Sequence, residues 1–142
     1  TGETITEHNR KTQAIPPKYS PLWLGLDFEP RQLLYDRIDL RVSLMLEAGL
    51  EEEIRALLGS GLDPRCTALQ AIGYKEFLAA LAGQCSVAEA CAQVQQASRK
   101  YAKRQLTWFR RNPNIHWLRR KNGEKNRQIL ETARQIITNF DK

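Results

Sequence analysis

The apolar positions of the chain follow a helical rhythm almost throughout. Between Pro30 and Ala48, Leu34, Ile38, Val42, Met45 and Leu46 recur at three- and four-residue intervals, so they share one stripe of a helix. Pro30 suits the first helical position and Gly49 ends the run. Leu50 to Leu58 predicts a second helix, with Glu51, Glu52 and Glu53 at the positive end of its dipole. Gly59 and Gly61 stop it, and Asp63-Pro64 marks a turn. Ala68 to Ala82 is helical in composition, interrupted by Gly73 and closed by Gly83. Ser86-Val87-Ala88-Glu89 is a capping-box pattern that opens the longest predicted helix, from Val87 to about Arg111, where Asn112-Pro113 ends it. Ile115 to Leu118 is a short extended piece. Glu124 to Phe140 predicts a last helix with Ile129, Ala133, Ile136, Ile137 and Phe140 on one side.

One segment has a different pattern. Leu22 to Phe28 is apolar on both faces apart from Asp27, as in a strand at the middle of a parallel sheet covered on both sides. No second strand of that kind is evident. The pattern therefore predicts a mainly α chain with a single core strand near Leu22–Phe28, docked badly or mispaired because its sheet is missing. Thr1 to Pro17 is polar, with one short helical possibility at Thr6 to Lys11 and an extended stretch at Pro16-Pro17.

Composition narrows the class. The 142 residues are 42% hydrophobic and 27% charged, which suits one folded domain and not a disordered tail. No apolar run approaches the roughly 18 residues of a membrane span, and no leader pattern opens the chain. The chain starts at Thr1 and its only methionine is Met45, which suggests a shortened or processed piece. Cys66, Cys85 and Cys91 lack CxxC spacing, and His8 and His116 have no second ligand at helical spacing. No disulfide or metal site is proposed, and a reducing cytoplasm is the expected compartment.

The net charge of +6 is uneven. Arg99 to Arg127 holds eleven Lys/Arg and one acid, Glu124, whereas residues 1 to 98 are net acidic. Such concentration marks a face for a polyanion. On a helix, Arg99, Lys100, Lys103, Arg104, Arg110 and Arg111 fall within a sector of about 140°. Val94, Tyr101, Ala102, Leu106, Trp108 and Phe109 cover most of the other side and are expected to pack. Gln105 and Thr107 flank the cations and offer neutral hydrogen bonds. Guanidinium forks suit phosphates; a solvated basic face on a core helix is the plainer alternative.

Two weaker features stand beside it. In Gln70-Ala71-Ile72-Gly73-Tyr74-Lys75, a mid-helix glycine allows close approach of a backbone or a nucleotide, with an amide, a ring and a cation nearby. A helix-crossing glycine explains it equally well. Arg37 and Arg41, four apart on one helix face, suit a phosphate clamp or ordinary surface ion pairing. There is no G-x-x-x-x-G-K-[ST] loop and no self-sufficient catalytic arrangement.

Taken together, RIDLRVSLMLEAGLEEEIRALL, ALQAIGYKEFLAAL and SRKYAKRQLTWFRRNPNIHWL resemble the C-terminal part of the bacterial-type tRNA dimethylallyltransferases, over Thr1 to about Leu118. The resemblance implies a P-loop-type α/β transferase with an added helical region, in which residues 1–29 end the α/β core and residues 30–142 carry tRNA contacts. It implies transfer of a dimethylallyl group from dimethylallyl diphosphate to N6 of adenosine 37, beside the anticodon, with magnesium in the complete enzyme. It places Arg41 on the diphosphate side. It makes Gln70, Ala71, Ile72, Gly73, Tyr74 and Lys75 one tRNA-contacting segment. Lys103, Arg104, Gln105, Leu106, Thr107, Trp108, Phe109 and Arg110 form the other. The phosphate loop and catalytic aspartate belong to the family's N-terminal half, so this chain alone is expected to be inactive, with no catalytic residue and no metal of its own. The implied partners are the tRNA anticodon stem-loop and dimethylallyl diphosphate, with a monomeric, cytoplasmic enzyme and no membrane. The alternatives are a stand-alone helical nucleic-acid-binding module and a protein-interaction module that uses the apolar strand.

Overall fold

The computed structural model describes residues 2, 4–16 and 18–140. The elements are α1 (Ile5–Ala14), β1 (Trp23–Glu29), α2 (Arg31–Glu47), α3 (Leu50–Gly59), a short 3₁₀ turn (Thr67–Gln70), α4 (Tyr74–Leu81), α5 (Val87–Phe109), β2 (Ile115–Lys121) and α6 (Asn126–Phe140). The chain is mostly helical, as the periodicity predicts. The helical possibility at Thr6–Lys11 is a full α1, started by a Thr4–Glu7 capping box. Pro17, half of the predicted extended Pro16-Pro17 stretch, lies outside the described residues.

The core is helical. Val42 of α2, Leu50 and Ile54 of α3, Phe77 of α4, and Ala90 and Val94 of α5 form one buried cluster. Met45, Leu46, Leu58, Ile72 and Leu78 pack around it. The stripe read along α2 thus faces the core through Val42, while Leu40 and Leu44 on its other side are exposed. The capping box of α5 forms as predicted: the Ser86 hydroxyl accepts from the Glu89 amide, and the Glu89 carboxylate accepts from the Ser86 amide at 2.8 Å.

The single-strand expectation is corrected. β1 is paired in parallel with β2, in register from Trp23 opposite Ile115 to Glu29 opposite Lys121. It is neither mispaired nor alone. The extended piece at Ile115–Leu118 continues to Lys121, where Arg119, Arg120 and Lys121 replace the apolar alternation. A parallel ladder needs backbone groups along its whole length, not apolar side chains. Gly25 lets the strands meet: a Cβ there would lie 2.7 Å from Ile115 Cγ2 and 2.8 Å from Trp117 Cε3.

The reading of Gly73 as a mid-helix gap is also corrected. The helix from Ala68 does not exist as one piece; the 3₁₀ turn ends at Gln70 and α4 begins at Tyr74. Gly73 sits before α4 at φ +104°, and a Cβ there would have no neighbour within 4 Å. Backbone conformation, not close packing, calls for glycine. The Glu76 carboxylate accepts from the Gly73 amide at 2.9 Å and holds the turn.

Candidate nucleic-acid interface

The basic segment lies on the second half of α5. Lys100, Lys103, Arg104, Thr107, Trp108 and Arg111 line an open groove of about 580 Å³. The helical repeat brings these residues to one side, and none of the four cations forms an ion pair among the described residues. The Thr107 hydroxyl donates to the Lys103 carbonyl at 2.9 Å. The Arg104 guanidinium stands 5.7 Å from the centre of the Tyr101 ring.

Two of the six predicted face cations are engaged within the chain. Arg99 pairs with Asp39 of α2. Arg110 donates through Nη2 to Asp27 Oδ2 of β1 at 3.0 Å. The far side of α5 also differs from expectation. Leu106 is buried, but Trp108 is 64% exposed, and Tyr101 and Phe109 are exposed as well. Trp108 does not pack into the core; it stands in the groove among cations, edge-on to Phe109 at 4.9 Å. The wheel alone separates cations from apolar side chains. It does not show that Tyr101, Trp108 and Phe109 stay exposed.

The segment Lys103–Arg110 therefore divides. Lys103, Arg104, Thr107 and Trp108 belong to the basic groove. Gln105, Leu106 and Phe109 line a different, largely apolar groove of about 400 Å³ beside β1, with Trp23, Leu24 and Leu26. Gln105 does not flank the cations.

The Gln70–Lys75 segment is exposed at Gln70, Ala71 and Lys75, and half-buried at Ile72 and Tyr74. Its polar groups already have partners. Gln70 Nε2 donates to the Pro64 carbonyl at 3.1 Å, and the Tyr74 hydroxyl donates to Glu53 Oε1 at 2.7 Å. That hydrogen bond, then burial, then the Glu53 charge raise the Tyr74 pKa above its ordinary value. Lys75 lies 3.7 Å from Glu76. This segment lines neither groove described above.

On α2 the predicted arginine clamp separates. Arg37 stands 5.4 Å from the centre of the Phe28 ring. It lines a third groove, with Arg120, Lys121 and Lys125. Arg41 is exposed and lines none of these grooves. Cys66, Cys85 and Cys91 are free thiols. Among the described residues no cluster of three His, Cys, Asp or Glu side chains has the arrangement of a metal site. Among them, too, no helix is long and apolar enough to cross a membrane.

The family model described as IPP transferase matches residues 1–112. A tRNA dimethylallyltransferase of Acetivibrio thermocellus is 36% identical over 140 residues, which is 99% of this chain and 44% of the relative. One of Streptomyces coelicolor is 48% identical over 100 residues, 70% of this chain and 32% of the relative. Two crystal structures have similar backbones. The tRNA isopentenylpyrophosphate transferase of Bacillus halodurans gives a TM-score of 0.77 at 36% identity, over 93% of this chain and 43% of its own. That of Staphylococcus epidermidis gives 0.76 at 36% identity, over 94% and 43%. The chain spans less than half the length of these relatives. With a family match over most of its length and agreement in both sequence and backbone, the chain belongs to the IPP transferase family.

Proposed function

We propose that this chain forms the tRNA-gripping C-terminal part of a tRNA dimethylallyltransferase. The complete enzyme transfers the dimethylallyl group of dimethylallyl diphosphate to N6 of adenosine 37. The observation that carries the reading is the α5 groove, which four cations with no ion pair among the described residues line together with an exposed tryptophan. Lysine and arginine neutralise backbone phosphates, and an exposed indole offers a base a stacking surface. Both are general needs of an enzyme that must hold a stem-loop while one base leaves the stack.

The chemistry then divides between this chain and the rest of the protein. The allylic C–O bond breaks, diphosphate departs, the adenine amine forms the new C–N bond, and its proton goes to a base outside this chain. Arg41, exposed on α2, is assigned to the diphosphate side, where a fixed cation stabilises the charge that develops on the leaving group. Asp27 and Asp39 do not suit magnesium. They are held by Arg110 and Arg99, and no triad of ligands is gathered among the described residues. Any magnesium site belongs to the remainder of the enzyme. The Gln70–Lys75 segment is kept as a second RNA contact through Lys75 and the backbone of the turn, since the Gln70 amide and Tyr74 hydroxyl are already engaged.

β1 supports the view that a larger sheet continues here. It pairs only with β2 among the described residues, and Leu24 and Leu26 remain exposed beside it. An apolar strand is rarely left with one edge open.

The test uses the full-length protein and its tRNA. Lys103→Glu with Arg104→Glu should weaken binding at least tenfold and flatten its salt dependence. Arg41→Ala should lower turnover at saturating tRNA and leave tRNA affinity near wild type. Unchanged binding after the double charge reversal would remove the groove from RNA recognition. The 142-residue chain alone should bind tRNA weakly and transfer nothing.

A further inference from the structure

The resemblance treats the whole stretch from Lys103 to Arg110 as RNA contact. Arg110 is placed differently from the rest of it. Its Nη2 lies 3.0 Å from Oδ2 of Asp27, whose side chain is only 9% exposed. Oδ1 of the same carboxylate accepts from the Phe28 amide at 2.8 Å. Both carboxylate oxygens therefore have donors. Asp27 is the buried charged side chain of β1, whose other acid, Glu29, is exposed at the strand's end, and among the described residues Arg110 is its only ion-pair partner. A carboxylate buried at that depth needs a fixed cation, because leaving it unpaired is strongly unfavourable.

The location of the bond gives it a role. Arg110 is the C-cap of α5, two residues beyond the groove residue Trp108. Asp27 lies in the strand that pairs with β2, so the bond joins the end of the basic helix to the sheet. At the start of the basic stretch, Arg99 pairs with Asp39 while Gln95 Nε2 donates to the Asp39 carbonyl at 3.3 Å. The four groove cations lie on or just past the stretch bracketed by these two ties.

We infer that Arg110 and Asp27 are positioning residues: their ion pair fixes the end of α5 against the sheet and so sets where Lys103, Arg104 and Trp108 meet the RNA, without Arg110 itself neutralising a phosphate. This rests on the reading of the groove as the tRNA-binding surface. It separates cations that bind from a cation that aims the binders. Displacements of about 1 Å in such an element suffice for large losses of productive geometry.

Salt dependence distinguishes the two roles. Each phosphate neutralised contributes about 0.9 to the slope of log affinity against log salt. The experiment measures tRNA affinity of the full-length protein from low to high salt for Arg104→Ala, Arg110→Ala, Arg110→Lys, Asp27→Asn and the Asp27→Asn/Arg110→Ala pair. Arg104→Ala should lower the slope by about one. Arg110→Ala should weaken binding roughly tenfold at every salt concentration with the wild-type slope. Arg110→Lys, which keeps a cation in reach of Asp27, should recover part of that loss. Asp27→Asn should resemble Arg110→Ala, and the pair should bind no worse than either single variant. A reduced slope in Arg110→Ala, with Asp27→Asn binding like wild type, would make Arg110 a phosphate contact and overturn the inference. If Asp27→Asn fails to fold, the slope of Arg110→Ala decides alone. If Arg104→Ala changes neither slope nor affinity, the groove reading itself fails, which is a separate outcome.

Discussion

The two halves of α5 belong to different parts of the molecule. The first half is built into the core: Ala90 and Val94 are buried against Val42, Leu50, Ile54 and Phe77. In the second half only Leu106 is buried, while Tyr101, Trp108 and Phe109 are exposed beside the cations. A single rod thus carries its stability at one end and its charge at the other. The basic end needs no core of its own, because the continuous helix and the Arg99 and Arg110 ion pairs hold it in place. A binding surface on a rigid element supported from behind loses little freedom when it engages a ligand.

Substitutions in the two regions should differ sharply, and folding stability gives the ranking. Phe77 is fully buried at the centre of the helical cluster. Phe77→Ala removes a large side chain that its neighbours cannot replace, and should cost about 3–5 kcal/mol. Urea unfolding followed by circular dichroism would measure it. A loss below about 1 kcal/mol would mean that the cluster is loosely packed and that the contrast between the halves is overstated.

The sheet is next. Gly25→Ala places a methyl group 2.7 Å from Ile115 Cγ2 and 2.8 Å from the Trp117 ring. The indole is too rigid to yield easily. The expected cost is about 1–3 kcal/mol, typical of overpacking. Trp117 fluorescence should change with it. Neutrality would show that β1 and β2 move apart freely, and would weaken the view that Asp27 is a firm anchor for α5.

The helical half was legible in the sequence because its signals are local. The stripe Leu34, Ile38, Val42 and Met45, the Ser86–Glu89 capping box and the stops at Gly49 and Gly83 each act within a few residues. Gly73 was visible too, but its reason was not. A glycine in a helical context reads alike whether it serves close packing or a positive φ, and only the backbone separates the two. Of β2, only the extended piece Ile115–Leu118 is legible, because its parallel partner lies about ninety residues away and its second half is cationic. The Arg110–Asp27 bond was missed for the same reason: its members lie in α5 and β1, separated by 83 positions. In the site, local periodicity located the cations. It assigned Trp108 to packing because a helical wheel shows which residues share a side, not what covers that side.

The capping box tests the first half of α5 more gently. Ser86→Ala should cost about 1 kcal/mol at neutral pH. The effect should also depend on pH. Backbone and hydroxyl hydrogen bonds from Ser86 hold the Glu89 carboxyl below its ordinary pKa. A carboxylate with a depressed folded pKa contributes stability that is complete above its unfolded pKa and is lost as pH falls through the folded value. The Ser86→Ala penalty should therefore shrink below about pH 4, an outcome that thermal melts from pH 7 to pH 3 would reveal. A penalty constant across that range would assign the cap to the serine hydroxyl alone.

Trp108→Ala should have the smallest effect on folding. The side chain is 64% exposed, and its one close ring neighbour is Phe109. Surface substitutions away from packing usually stay within about 0.5 kcal/mol of wild type. If the groove receives RNA, the same change removes a stacking surface worth about 1–3 kcal/mol per base, so affinity should fall roughly five- to a hundredfold while the melting temperature barely moves. The salt slope should be unchanged, because no charge is lost. Loss of stability with unchanged affinity would reverse the assignment and return Trp108 to packing. Loss of affinity alone would separate the functions of the two halves of α5 by experiment: Phe77 and its neighbours hold the helix, and the exposed end reads the ligand.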